Sequence, residues 1–150
     1  NTLTSIEQWI VESPHSAIEF IDALAEEFKL LNEISAMPLI PINDELKLCN
    51  AHLKIMGFRH DLHFELKTQN IASELMVPPA LLHTLLENCF THNHISTDRA
   101  FELTIEKAKE QINLTLKTPI EKKKKIFEAY TWLTNKIQVI IVLQNLKRLY

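Results

Sequence analysis

The chain has 150 residues, enough for one ordinary domain or two small ones, and at 46% hydrophobic it can bury a core. A net charge of -3 gives no general push toward nucleic acid or an anionic membrane surface. The two cysteines, Cys49 and Cys89, lie in helical patterns and read as buried thiols of a reducing compartment rather than a disulfide. No apolar run approaches the ~20 residues needed to span a bilayer. The N-terminus is polar and already helical in pattern, which is not a signal peptide. Gly57 is the single glycine, where an average domain would have about 7%. Either the loops are built without glycine, or glycine-rich loops are missing from this stretch of chain.

Leu3, Ile6, Trp9 and Ile10 have helical spacing over Asn1 to Val11. Ser13-Pro14 interrupts it, because the residue before proline resists the helical conformation. Ser16 to Ile34 resumes with Ala17, Ile18, Ile21, Leu24, Ala25, Phe28 and Leu31, a long amphipathic helix. Two such helices in sequence predict a helical hairpin with apolar surface left to pair with another chain. Two prolines between Met37 and Pro41 mark a boundary, and Leu39, Ile40 and Ile42 predict a short extended piece. Asn43 or Asp44 can cap the next helix, Glu45 to Met56. Asp61 to Lys67 alternates as a half-exposed strand, and Thr68 to Leu75 reads as loop or partial helix.

Pro78 and Pro79 can open the next helix, since a proline in the first turn loses no hydrogen bond. That helix divides into an apolar face of Leu81, Leu82, Leu85, Leu86, Cys89 and Phe90 and a polar face of His83, Thr84, Glu87, Asn88, Thr91 and His92. A carboxylate, an amide and an imidazole on neighbouring turns could hold a metal and a phosphate; the alternative is a solvated face. A zinc site on Cys89, His92 and His94 has uncommon spacing and no second ligand pair nearby.

After the polar stretch Asn93 to Arg99, Phe101, Leu103 and Ile105 alternate with Glu102, Thr104 and Glu106. A turn near Lys109-Glu110 leads to Ile112, Leu114 and Leu116 in alternation, which predicts a β-hairpin with one buried face. Thr118-Pro119 ends it, and Lys122 to Lys125 is a solvated run or a splice across absent residues. Glu121 to Tyr130 has a helical pattern and Thr131 to Asn135 is a short strand candidate. Ile137 to Leu143 is an apolar, β-branched run that predicts a central strand, and Gln144 to Tyr150 is a basic, polar tail. The order predicts an α+β fold, a helical hairpin segment followed by a layer of helices on one face of a sheet.

Three stretches carry a resemblance. The first is Pro41-Ile42-Asn43-Asp44-Glu45-Leu46-Lys47-Leu48-Cys49, continuing through Leu53-Lys54-Ile55 to Phe58-Arg59. The second is Val77-Pro78-Pro79 followed by Leu85-Leu86-Glu87-Asn88 and His92. The third is Asn1-Thr2-Leu3 through Ile6, with Ser13-Pro14 and Ala17. Together, over roughly the first two thirds of the chain, they resemble the LytS-type sensor histidine kinases of the GHKL ATPase superfamily. The second resembles that family's N box, in which Glu-Asn is followed by histidine four positions after the asparagine.

The resemblance implies dimerisation helices over 1–37 and a catalytic ATP-binding domain over 38–150, a two-layer α/β sandwich of the Bergerat (GHKL) type. It implies ATP and Mg²⁺ as cofactors. Asn88 would bind Mg²⁺ through its side-chain oxygen, a hard neutral ligand. Glu87 would be the general base or polarising carboxylate for the phosphoacceptor imidazole. Asn88, Thr91 and His92 would bind the nucleotide or its phosphates, His92 contacting a phosphate or orienting Glu87; the other reading of His92 is a favourable cation at a helix end. The implied partners are a second copy through the N-terminal helices and a response regulator. No direct nucleic-acid contact is implied. The implied location is cytoplasmic, with anchorage in a bacterial inner membrane through a segment outside this chain.

The family's glycine boxes should come after the second hairpin strand, yet the chain passes from Lys117-Thr118-Pro119-Ile120 straight to Glu121-Lys122-Lys123. Lys125 to Tyr130, Trp132-Leu133-Thr134 and Ile137 to Leu143 resemble the family's helix and last two strands beyond those boxes. The flanks are present and the middle is not, so an ATP lid is missing near 118–124. The alternatives are an active kinase core with a mobile lid and a catalytically degenerate scaffold of the same fold. The phosphoacceptor histidine is also absent, since the family motif would end at about Asn1.

Overall fold

A computed structural model describes residues 2–69, 71, 74–92, 95, 100–108, 111–119 and 136–142. It is an α+β structure. Helix α1 (Thr2–Glu12) and helix α2 (Pro14–Ile34) are separated by Ser13 alone. Ser13 leaves the helical conformation (φ -150, ψ 77), as the steric demand of Pro14 requires, and Pro14 takes the first turn of α2, where it loses no hydrogen bond. The chain turns back there, so Trp9 meets Phe20 at 5.2 Å between ring centroids and Phe58 at 6.2 Å. The hairpin anticipated from the spacing is present.

Strand β1 (Ile40–Pro41) leads directly into helix α3 (Ile42–His60). The helix starts three residues before the expected Glu45, and neither Asn43 nor Asp44 is its cap. Pro41 occupies the N-cap position with no side-chain cap, and the Ile42 N–H donates to the Leu75 carbonyl at 2.8 Å. A tertiary bond thus does what a capping side chain would do. Asp44 and Glu45 then lie in the first turn and Arg59 and His60 in the last, each sign matching the helix dipole. At the far end Asp61 is left-handed (φ 52), and both it and Leu62 donate to the Gly57 carbonyl. A Cβ on Gly57 would lie 2.8 Å from the Leu62 carbonyl oxygen, so the returning chain requires glycine there.

Strand β2 (Leu66–Gln69) lies later than the expected Asp61 to Lys67, because Asp61 and Leu62 are used in ending α3. Strand β3 (Met76–Val77) pairs antiparallel with β1, Ile40 opposite Val77. Helix α4 (Leu81–His92) comes next. Pro78 and Pro79 lie ahead of it rather than in its first turn, and Ala80, left-handed at φ 57, makes the entry. The two left-handed residues found among those described, Asp61 and Ala80, are not glycines. At these two positions, then, the bends are built without glycine.

Strands β4 (Phe101–Ala108) and β5 (Gln111–Lys117) form the expected hairpin, with Glu102 opposite Lys117. Strand β6 (Lys136–Val142) pairs antiparallel with β5, and β2 pairs parallel with β4. The sheet order is β2-β4-β5-β6. Among the described strands β6 is therefore at the end of the sheet, not central as its apolar run predicted. Phe101, Leu103 and Ile105 of β4 and Leu114 and Leu116 of β5 bury one face of the sheet. They share a core with Leu48, Cys49 and Leu53 of α3 and Leu82, Leu85, Leu86 and Cys89 of α4. Both cysteines are buried and reduced, and burial pushes the Cys89 thiol up to about 12. The expectations over Glu121 to Asn135, including the missing lid, and over the tail lie outside the described residues, apart from buried Thr118 and Pro119.

Candidate functional site

The β1–β3 pair brings the first turn of α3 beside the first turn of α4. That placement decides how α4 begins. Glu45, fully buried, accepts the Ala80 N–H on Oε2 (2.8 Å) and the His83 N–H on Oε1 (3.0 Å). The orphan donors of α4 are thus met by a carboxylate from another helix, and its charge lies at the positive end of the dipole. Burial pushes the Glu45 carboxyl above its usual range, and the backbone N–H groups of His83, Leu82 and Ala80 pull against that.

Beside this cap is a second buried carboxylate. Glu27, from the inward face of α2, accepts on one oxygen, Oε1, from His52 Nδ1 of α3 (2.7 Å) and His83 Nε2 of α4 (2.8 Å). All three residues are buried, at 8%, 8% and 9% exposure. The imidazoles meet edge to face with centroids 4.7 Å apart. Burial pushes the Glu27 carboxyl up, but the hydrogen bonds and positive charge of the two histidines more than reverse this and hold it at about 2. His52 Nε2 is buried with no partner among the described residues. A cavity of about 290 Å³ adjoins the cluster and is lined by Glu27, His52, His83, Arg59 and Glu87, with apolar side chains of α2 and α3.

Of the residues anticipated to carry chemistry, Glu87 is exposed on α4 and lines that cavity. Asn88 beside it is half-buried. Thr91 is exposed, and its hydroxyl donates to the Glu87 carbonyl at 2.9 Å, a bond within the helix that leaves the oxygen able to accept. The His92 side chain lies outside the described residues, and so does that of His94. His83 is a correction. The helical wheel places it on the polar flank with Thr84 and Glu87, but it is buried against α2 and α3 because Glu27 and His52 supply polar partners there. The signal that could have found this cluster is a polar residue inside an apolar stripe. Glu27 interrupts Phe20-Leu24-Leu31, and His52 sits between Cys49 and Met56. A larger cavity of about 850 Å³, between α1 and the second half of α3, holds none of the anticipated residues.

No described helix is long and apolar enough to cross a membrane. Compared with known proteins, the chain matches no family model and no curated protein.

Proposed function

We propose that this chain is the core of a sensor histidine kinase of the LytS type, a Bergerat-fold module that binds Mg-ATP beside α4. It phosphorylates a histidine on the dimerisation helices for transfer to a response regulator. The observation that carries this reading is the position of Glu87-Asn88. The pair lies on a helix whose other side shares the core with the sheet through Leu82, Leu85, Leu86 and Cys89; Glu87 is exposed and lines a cavity, and Asn88 beside it is half-buried. Asn88 is the Mg²⁺ ligand, Glu87 the base or polarising group, and Thr91 and His92 the phosphate contacts. The module acts on the cytoplasmic side of a bacterial inner membrane, tethered by a segment outside this chain.

The second copy docks on α2. That helix has two apolar stripes. Ala17, Phe20, Ala23 and Ile34 face inward and are buried. Ile18, Ile21 and Phe28 face outward, 58%, 45% and 62% exposed, with Ala25 exposed between them. The outward spacing of three, four and three residues is a coiled-coil seam, suited to an identical helix.

One observation favours a non-catalytic scaffold of the same fold: the only glycine is Gly57, in α3, so no glycine-bearing loop of this sequence can cradle phosphate. Calorimetric titration with a non-hydrolysable ATP analogue, with and without Mg²⁺, separates the readings. Metal-dependent binding by the wild type that is lost in Asn88→Ala supports the kinase core. Folded wild-type protein that binds no nucleotide overturns it and leaves the dimerising scaffold.

A further inference from the structure

Among the described residues, Glu27, His52 and His83 are the group whose ligand atoms, one from each of three helices, all lie within 4.8 Å of one another. Two imidazoles and a carboxylate form a donor set suited to divalent transition metals such as Zn²⁺ and Co²⁺, not to the oxygen-seeking Mg²⁺. Around a tetrahedral ion with bonds of about 2.0–2.2 Å, neighbouring ligand atoms stand roughly 3.3 Å apart. Here Glu27 Oε1 is 2.7 Å from His52 Nδ1 and 2.8 Å from His83 Nε2. Opening these spacings by about half an ångström is within small side-chain rotations. The ion would take the place of the two shared protons. The adjoining cavity leaves room for water as a fourth ligand.

The arrangement is built rather than incidental. Each ligand comes from a different helix, each is about nine-tenths buried, and the cluster is the buried polar element where α2, α3 and α4 meet. The other ring nitrogen of His52, Nε2, is buried and meets no partner among the described residues. A ligand histidine needs its coordinating nitrogen first, and a water in the adjoining cavity can meet the second.

We propose that Glu27, His52 and His83 form a divalent transition-metal site of the zinc class that pins α2 to α3 and α4. The site does not depend on nucleotide binding, so it stands or falls separately from the kinase reading. Coordination displaces the ring protons, so binding weakens as pH falls. Occupancy joins the helix with the outward apolar stripe to the helix carrying Glu87, four residues after His83.

The test uses the untagged, metal-stripped 150-residue chain titrated with Co²⁺ alone, followed by its visible absorption, then displaced with Zn²⁺. The expected result is one ion per chain with tetrahedral Co²⁺ bands, bleached by Zn²⁺. His83→Gln should weaken binding by about 100-fold or more, since even loss of a supporting partner costs 10–100-fold. Zn²⁺ should raise the Tm of the wild type and not of the variant. His52→Gln serves as an independent variant should His83→Gln fail to fold. Wild type that takes up no stoichiometric Co²⁺ overturns the proposal without any variant. So does binding that persists in His52→Gln/His83→Gln, which would place the ion on exposed histidines such as His15.

Discussion

Glu27→Gln tests how the charge in the helix junction is held. The substitution preserves shape and one acceptor oxygen but removes the negative charge facing two imidazoles. The Glu27 carboxyl moves from an ordinary value of 4.5 in the unfolded chain to about 2 in the fold. At about 1.4 kcal/mol per pH unit, that difference corresponds to about 3 kcal/mol. With the carboxylate only 11% exposed, solvent screening removes little of it. The sign is set by the lowered value. Below 4.5 the unfolded chain takes up the proton more readily than the fold, so the contribution is complete above that pH and is lost as pH falls toward 2. Urea denaturation of wild type and Glu27→Gln from pH 7 to pH 2.5, with a chelator present, measures it. The wild type should be more stable by about 3 kcal/mol near pH 5, and the gap should close between pH 4.5 and 2. A gap that does not change with pH would refute the reasoning, because the carboxylate would then be held no more tightly in the fold than in the unfolded chain.

Glu45→Ala strips the cap from α4 and leaves the buried His83 N–H and the part-buried Ala80 N–H without their acceptor, so it should cost about 2–4 kcal/mol. Thermal unfolding reads this, and faster amide exchange at those two residues locates it. Gly57→Ala should lower stability although alanine gains about 1 kcal/mol in helix propensity, because its Cβ would press on the Leu62 carbonyl oxygen at 2.8 Å. A rise in Tm would mean the end of α3 yields freely. Phe28→Asp should convert a dimer to a monomer by sedimentation velocity with unchanged far-UV circular dichroism; wild type that is monomeric at high micromolar concentration would remove the seam on α2 from consideration.

The helices and the hairpin were legible because their information is local. The turn at Ser13-Pro14, the long amphipathic α2 and the alternation of Phe101 to Glu106 against Ile112 to Lys117 depend on near neighbours in sequence. The ends of α3 and α4 were not legible, because their caps come from elsewhere: the Leu75 carbonyl for one and the Glu45 carboxylate, 35 residues earlier than Ala80, for the other. His83 was misplaced for the same reason. A helical wheel ranks side chains by polarity, and only Glu27, 56 residues away, makes an inward imidazole favourable. The apolar run of Ile137 to Leu143 predicts a central strand, but apolar content does not specify how many neighbours pair with it.

Two carboxylates of other helices set the position of α4. Glu45 fixes where it begins, and Glu27 ties its first turn to α2 through His83. The two constraints differ in what they couple. The Glu45 contact joins α3 and α4, which already share the core with the sheet, so it moves with that core. The Glu27 contacts join that body to α2, whose outward stripe faces away from it. Sliding α2 along its axis by one residue, about 1.5 Å, would displace Glu27 Oε1 by more than half the length of its 2.7 and 2.8 Å bonds, lengthening or tilting them. The junction therefore favours one register of α2 and opposes its neighbours. On the kinase reading, displacement of the dimer helices reaches Glu87 through His83, one turn before it on the same helix. Glu27→Gln would then alter the response to α2 position while leaving Asn88 and its metal untouched.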